Sequence, residues 1–212
     1  NTVESFSGEG SVLEAGAFPV LRSVETYRVE LSALTRFKTL EAMALRLRPE
    51  DLSTLTAPGN LPALHTMTLA LTPDLLTSFE PWAVQRVWRS LTFTVEPRDL
   101  DAACALLGRP LALTTERLEL VVPRFESSSF HARSRLTVEH RPGVTKATVR
   151  LELSSKSNQN WAEALLTDAA AMLETVAARP HLEFELSMGN VTPGAASAPL
   201  VARVERLGGR VR

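Results

Sequence analysis

The chain has 212 residues, 44% hydrophobic and 22% charged, with a formal net charge of −1. That is enough apolar sequence to build a sizeable core, and the near-neutral balance leaves no electrostatic footprint for nucleic acid. The single cysteine, Cys104, excludes an internal disulfide and points to a reducing, cytoplasmic setting, and with no run of 18 apolar residues no membrane span is expected.

Residues 1–17 are polar and Gly-rich and carry no assignable element, while 24–31 reads as a strand. Together 1–38 reads as an irregular N-terminal cap. A pattern then repeats three times at a period of 24 residues. Leu40, Leu64 and Trp88 are in register, as are Met43, Met67 and Leu91, then Leu45, Leu69 and Phe93, then Leu47, Leu71 and Val95. Pro49, Pro73 and Pro97 follow, and then Leu52, Leu76 and Leu100. Alternation of the apolar positions describes a strand with one buried face. A proline beside acidic residues after each strand is a helix-start signal, and Thr72 is placed to act as an N-cap. Each unit therefore reads as strand, turn, short helix and return loop, with breakers at 58–60 and 108–110.

The pattern loosens toward the C-terminus. Leu118, Leu120 and Val122 mark the next strand, 27 residues on. Val149, Leu151 and Leu153 follow after 31 more, and Leu182, Phe184 and Leu186 after another 33. Residues 133–140 alternate as an extra strand with Leu136 and Val138 inward, and a turn at 140–143 leads into 144–153, so a β-hairpin is expected over 133–153. The longest helix is expected over 160–178, and a last one over 200–207. The terminal Gly208-Gly209-Arg210-Val211-Arg212 reads as a turn running into a new strand, so the chain is expected to be a fragment or processed form of a longer one.

Leu40-x-x-Met43-x-Leu45, Leu64-x-x-Met67-x-Leu69 and Trp88-x-x-Leu91-x-Phe93 resemble the strand signature of the leucine-rich repeat family, in a divergent, bacterial-type form. The 24-residue period agrees with that family. The asparagine that the family places after the strand is replaced by Arg48, Thr72 and Glu96. The resemblance implies an α/β fold, a leucine-rich-repeat-like solenoid running through residues 1–212 as a single domain. Regular repeats would span 39–122 and longer ones 123–212, with parallel strands on a concave face and short helices on a convex face. It also implies binding on the concave sheet.

No pattern for phosphate loops, dinucleotide binding or a nucleophile elbow appears. His65, His131, His140 and His181 show no metal-ligand spacing, and Cys104 falls on a helix face as a packing residue. Trp88 takes the Leu slot of its repeat and is expected in the core. No catalytic, cofactor or metal residues are therefore expected. The outward positions between buried ones give the candidate partner-binding set: Arg46, Thr68, Thr92, Thr94, Glu119, Arg150, Glu152 and Glu183. The first part of that surface is small and smooth and the second part charged. The functional expectation is a non-enzymatic module that recognises another protein or peptide, with a self-associating spacer or, further off, an α/β enzyme as alternatives.

Overall fold

The computed structural model describes residues 5–7, 20–25, 31–46, 51–107, 115–126, 129–140, 146–155, 161–179, 181–191 and 194–212. The repeat signature contains a physical puzzle. Leu40 and Met43 are both buried, as are Leu64 and Met67, and Trp88 and Leu91. An odd spacing cannot place two residues on one face of a plain strand. The structure resolves this with a bulge-like irregularity where each strand starts. The amides of Glu41 and Ala42 both donate to the Arg22 carbonyl at 2.8 and 2.9 Å. Those of His65 and Thr66 share the Glu41 carbonyl, and those of Arg89 and Ser90 share the His65 carbonyl. The extra residue absorbs the phase difference between the buried leucine and the strand that follows.

Among the described residues, ten strands form one sheet in sequential order. They are β1 (Ser5–Ser7), β2 (Ser23–Glu25), β3 (Ala42–Leu45), β4 (Thr66–Leu71), β5 (Trp88–Val95), β6 (Thr115–Glu126), β7 (Ser129–Glu139), β8 (Ala147–Ser155), β9 (Leu182–Ser187) and β10 (Arg210–Val211). Between them lie α1 (Leu31–Leu34), α2 (Asp51–Thr56), α3 (Pro73–Ala83), α4 (Leu100–Leu107), α5 (Ala162–Ala177) and α6 (Ala198–Arg206), with a 3-10 turn at Pro97–Asp99. Thr72 caps α3, its hydroxyl accepting from the Leu75 amide at 3.3 Å. Of the strand expected at 24–31, Val24 and Glu25 lie in β2 and Leu31 begins α1; residues 26–30, Leu47, 48–50, 108–110 and the turn at 141–143 lie outside the described residues.

The expectation of a leucine-rich-repeat-like solenoid, with parallel strands on a concave face and helices on a convex one, is overturned. The sheet is mixed: β7 runs antiparallel to both β6 and β8. The reason is connection length. Only residues 127–128 separate β6 from β7, and only 140–146 separate β7 from β8. A parallel return needs a crossover of about a dozen residues or more, whereas a short link can only make a hairpin. The remaining pairings, β1 to β6 and β8 to β10, are parallel.

Register aligns the buried side chains into rows across the sheet. Met43, Met67, Leu91, Leu118, Val138, Val149 and Phe184 form one row, and Leu45, Leu69, Phe93, Leu120, Leu136, Leu151 and Leu186 the next. The same core takes in Leu52 and Leu55 of α2, Leu75 and Phe79 of α3, and Leu165, Met172 and Val176 of α5. Each such side chain contributes roughly 1.5–3 kcal/mol when fully buried. Trp88 is fully buried and donates from Nε1 to the Ala83 carbonyl at 2.9 Å. It packs with Phe79 and Trp82 in edge-on and tilted contacts.

A buried ion pair fastens α5 to the sheet. Arg124 Nη2 donates to both oxygens of Asp168 at 2.7 and 2.8 Å. The Ser134 hydroxyl approaches Asp168 at 3.4 Å and the Leu165 carbonyl at 3.3 Å. At the C-terminal end, Gly209 stands where an added Cβ would meet Phe184 and Val204 within 3 Å, so only glycine admits β10 this close to β9 and α6.

Candidate interaction face

The alternate side chains of the same strands form the other face of the sheet. Its central row runs Ala44, Thr68, Thr92, Glu119, Thr137, Arg150, Glu185 and Arg210 from β3 to β10. On β3–β5 the row is short and uncharged, and Ala44, Thr68, Ala70, Thr92 and Thr94 all keep partial exposure. From β6 onward it becomes a lattice of opposite charges.

The charges in that lattice pair along and across the strands. Arg117 donates from Nε to Glu119 Oε1 at 2.9 Å, and the Thr92 hydroxyl reaches Glu119 Oε2 at 3.3 Å. Arg150 bridges Glu139 at 3.2 Å and Glu185 at 2.9 Å, and Arg212 approaches Glu185 at 3.4 Å. Arg135 lies 3.7 Å from Glu152, and Lys146 lies 3.5 Å from Glu183. The hydrogen bond from Arg150 holds the Glu185 carboxyl below its ordinary range, with the Arg212 and Arg210 charges adding to it. The hydrogen bond to Glu119 raises the Arg117 guanidinium further above its already high value. A concavity of about 260 Å³ opens beside Arg150, Glu152, Glu185, Ser187 and Arg212.

The eight residues expected from sequence fall out as follows. Thr68, Thr92, Glu119 and Arg150 share the central row, with Thr94 and Glu152 one step along their strands. Arg46 is exposed one residue past β3, and Glu183 is exposed toward the start of β9. Glu119 differs from its expected accessibility: it is only 8% exposed, covered by its bonds to Arg117 and Thr92. Sequence reasoning missed Arg117, Arg135, Thr137 and Glu139, all of which the antiparallel β7 brings into the lattice or pairs with it. The alternation of 129–139 was the signal that could have found them.

Cys104 is buried, and burial pushes its thiol above the ordinary 9.0, which disfavours the nucleophilic thiolate. Among the described residues no group of three His, Cys, Asp or Glu side chains is placed to hold a metal ion. No helix among them is long and apolar enough to cross a membrane.

No family model matches the chain, and no curated protein matches it. Among solved structures, an AvrA deletion variant solved with IP6 and CoA aligns at 14% identity over 62% of this chain and 48% of that one. The chain thus spans about half the length of that neighbour, and the TM-score of 0.29 is too low to carry an argument.

Proposed function

We propose that the chain is a non-enzymatic recognition module that docks an extended segment of another protein on the face of its sheet that carries the Ala44–Arg210 row and, among the described residues, no helix. The observation that supports this most is the juxtaposition along one row. The short side chains of Ala44, Thr68 and Thr92 adjoin a lattice of Arg and Glu already paired on β6–β9. Short side chains let a partner backbone approach closely. Pre-paired charges are held in place before binding, so less ordering entropy is lost when they meet a partner. They also set register and reject mismatched charge.

The test compares the parent with Thr68→Glu, Thr92→Glu and Arg150→Glu combined. Both proteins are used for affinity capture from native lysate, and captured partners are mapped by cross-linking. A partner retained by the parent, cross-linked to β3–β9 and lost by a variant of unchanged circular dichroism supports the reading. Retention of the same partner by that variant overturns it.

A further inference from the structure

We propose a second, separate site: an open depression where β4 and β5 begin binds a compact oxyanion, a carboxylate or phosphate group, through Arg86. The depression is about 510 Å³, open to solvent, and is lined by Gly59, Asn60, Leu64, His65, Arg86 and Val87 among others. It stands apart from the sheet face described above and does not depend on that reading.

Arg86 is held as a fixed cation. Its Nη2 donates to the carbonyls of Leu61 at 2.7 Å, Leu64 at 3.0 Å and Pro62 at 3.4 Å. The guanidinium carbon lies 4.9 Å from the Trp82 ring centre and 5.6 Å from that of Trp88. These partners are carbonyl dipoles and aromatic faces, and none carries a negative charge. Among the described residues no carboxylate pairs with Arg86. Burial lowers its pKa accordingly. All three bonds run through Nη2, which leaves the protons of Nε and Nη1 for a ligand.

The surroundings have the same sign. Lys38 reaches over to the Gly59 carbonyl at 3.0 Å, and exposed Arg89 sits beside His65 on the neighbouring strand. Glu41, whose carboxylate lies 3.8 Å from His65 Nε2, is already engaged by Arg22 at 3.1 Å. In a chain of net charge −1 this is a local excess of positive charge. The wall itself is strained: Leu61 is fully buried with φ +47°, a conformation that non-glycine residues hold only when their surroundings enforce it. That backbone turn is what presents the Leu61 carbonyl to Arg86. Exposed Val87, at 78%, closes the other side.

The test is a titration of the ¹⁵N-labelled chain with inorganic phosphate and, in parallel, with glutarate, against a chloride control of equal ionic strength. The expected result is saturable shifts at residues 59–65 and 86–89 and at the Arg86 Nε, with affinity on the order of millimolar for a single anion. Tighter binding of phosphate identifies a phosphorylated ligand as the source, and tighter binding of glutarate an acidic side chain. Arg86→Gln should abolish the shifts. Because that change also frees three carbonyls, Lys38→Gln with Arg89→Gln serves as the second variant. It should weaken binding roughly 3- to 10-fold while the rest of the spectrum stays unchanged. Shifts that fail to saturate with either anion, shifts spread over all arginines, or undiminished binding by folded Arg86→Gln would overturn the proposal.

Discussion

At the scale of single residues, Trp88 is the clearest case of a side chain whose role could be read in advance. It stands in a leucine slot, and the structure buries it completely against Phe79 and Trp82. Trp88→Ala should destabilise by about 3–5 kcal/mol through the cavity left and the lost Ala83 hydrogen bond, measured by urea unfolding. A value under about 1 kcal/mol would mean that the core collapses around the gap. Arg86 was not legible, because an arginine in a loop looks like solvated surface until packing turns Leu61 to positive φ beneath it. Glu185 gives a pH prediction. Its folded pKa lies below the ordinary 4.5, mainly through the Arg150 hydrogen bond. The stability it contributes is therefore full above the unfolded value and disappears as pH falls through the depressed folded one. Glu185→Gln should flatten the fall of Tm with pH below about 4.5; a slope identical to the parent's would show that other carboxylates carry it. Cys104 should resist thiol reagents at neutral pH until the chain unfolds, since burial raises its pKa above 9.0 and keeps it neutral. Labelling of the native protein at the rate of the unfolded one would contradict this.

At the scale of elements, the 24-residue units were readable because proline, acid and alternation coincide, and α3 shows why. Its first residue is Pro73, and the Thr72 hydroxyl satisfies an amide of the first turn. The pairing of β7 with β6 was not readable, although the hairpin that β7 forms with β8 was expected over 133–153. Pro123 and Arg124 interrupt the apolar alternation of β6, so its visible part ends near Val122. The next clear alternation resumes at 133, so the link between the two strands looked longer than it is. The true gap is residues 127–128, and this settles the pairing as a hairpin. The same stretch explains Arg124, which reads as a strand-breaking surface residue but reaches Asp168 of α5. The pair is well shielded, with side-chain exposures of 19% and 5%. Asp168→Ala should cost about 3–5 kcal/mol by stranding a buried guanidinium, and should speed hydrogen exchange in α5 before the sheet. The double change Arg124→Met with Asp168→Leu should recover most of that loss. If the double variant is as unstable as the single one, the pair sets helix position by more than its charge.

At the scale of the whole molecule, the rows of the sheet follow from one register carried strand to strand. The core of β3–β5 could be listed from sequence because equal spacing makes equal register. The mixed character of the sheet could be listed only in part, since of its two short links the turn at 140–143 was readable and 127–128 was not. Those links also bear on the order in which the molecule assembles. Every parallel pairing here requires a long segment to be closed before its contacts form, whereas β6, β7 and β8 are joined by 127–128 and 140–146 and pair at little entropic expense. This central meander is the natural seed from which pairing spreads outward to β5 on one side and β9 on the other. Leu136→Ala should then slow folding, with φ-values of about 0.5–0.8, while Met43→Ala and Phe184→Ala chiefly speed unfolding, with values of about 0–0.3. High values confined to β3–β5 would place the seed in the repeats instead. The strand that breaks the repeat is, on this account, the one that starts the fold.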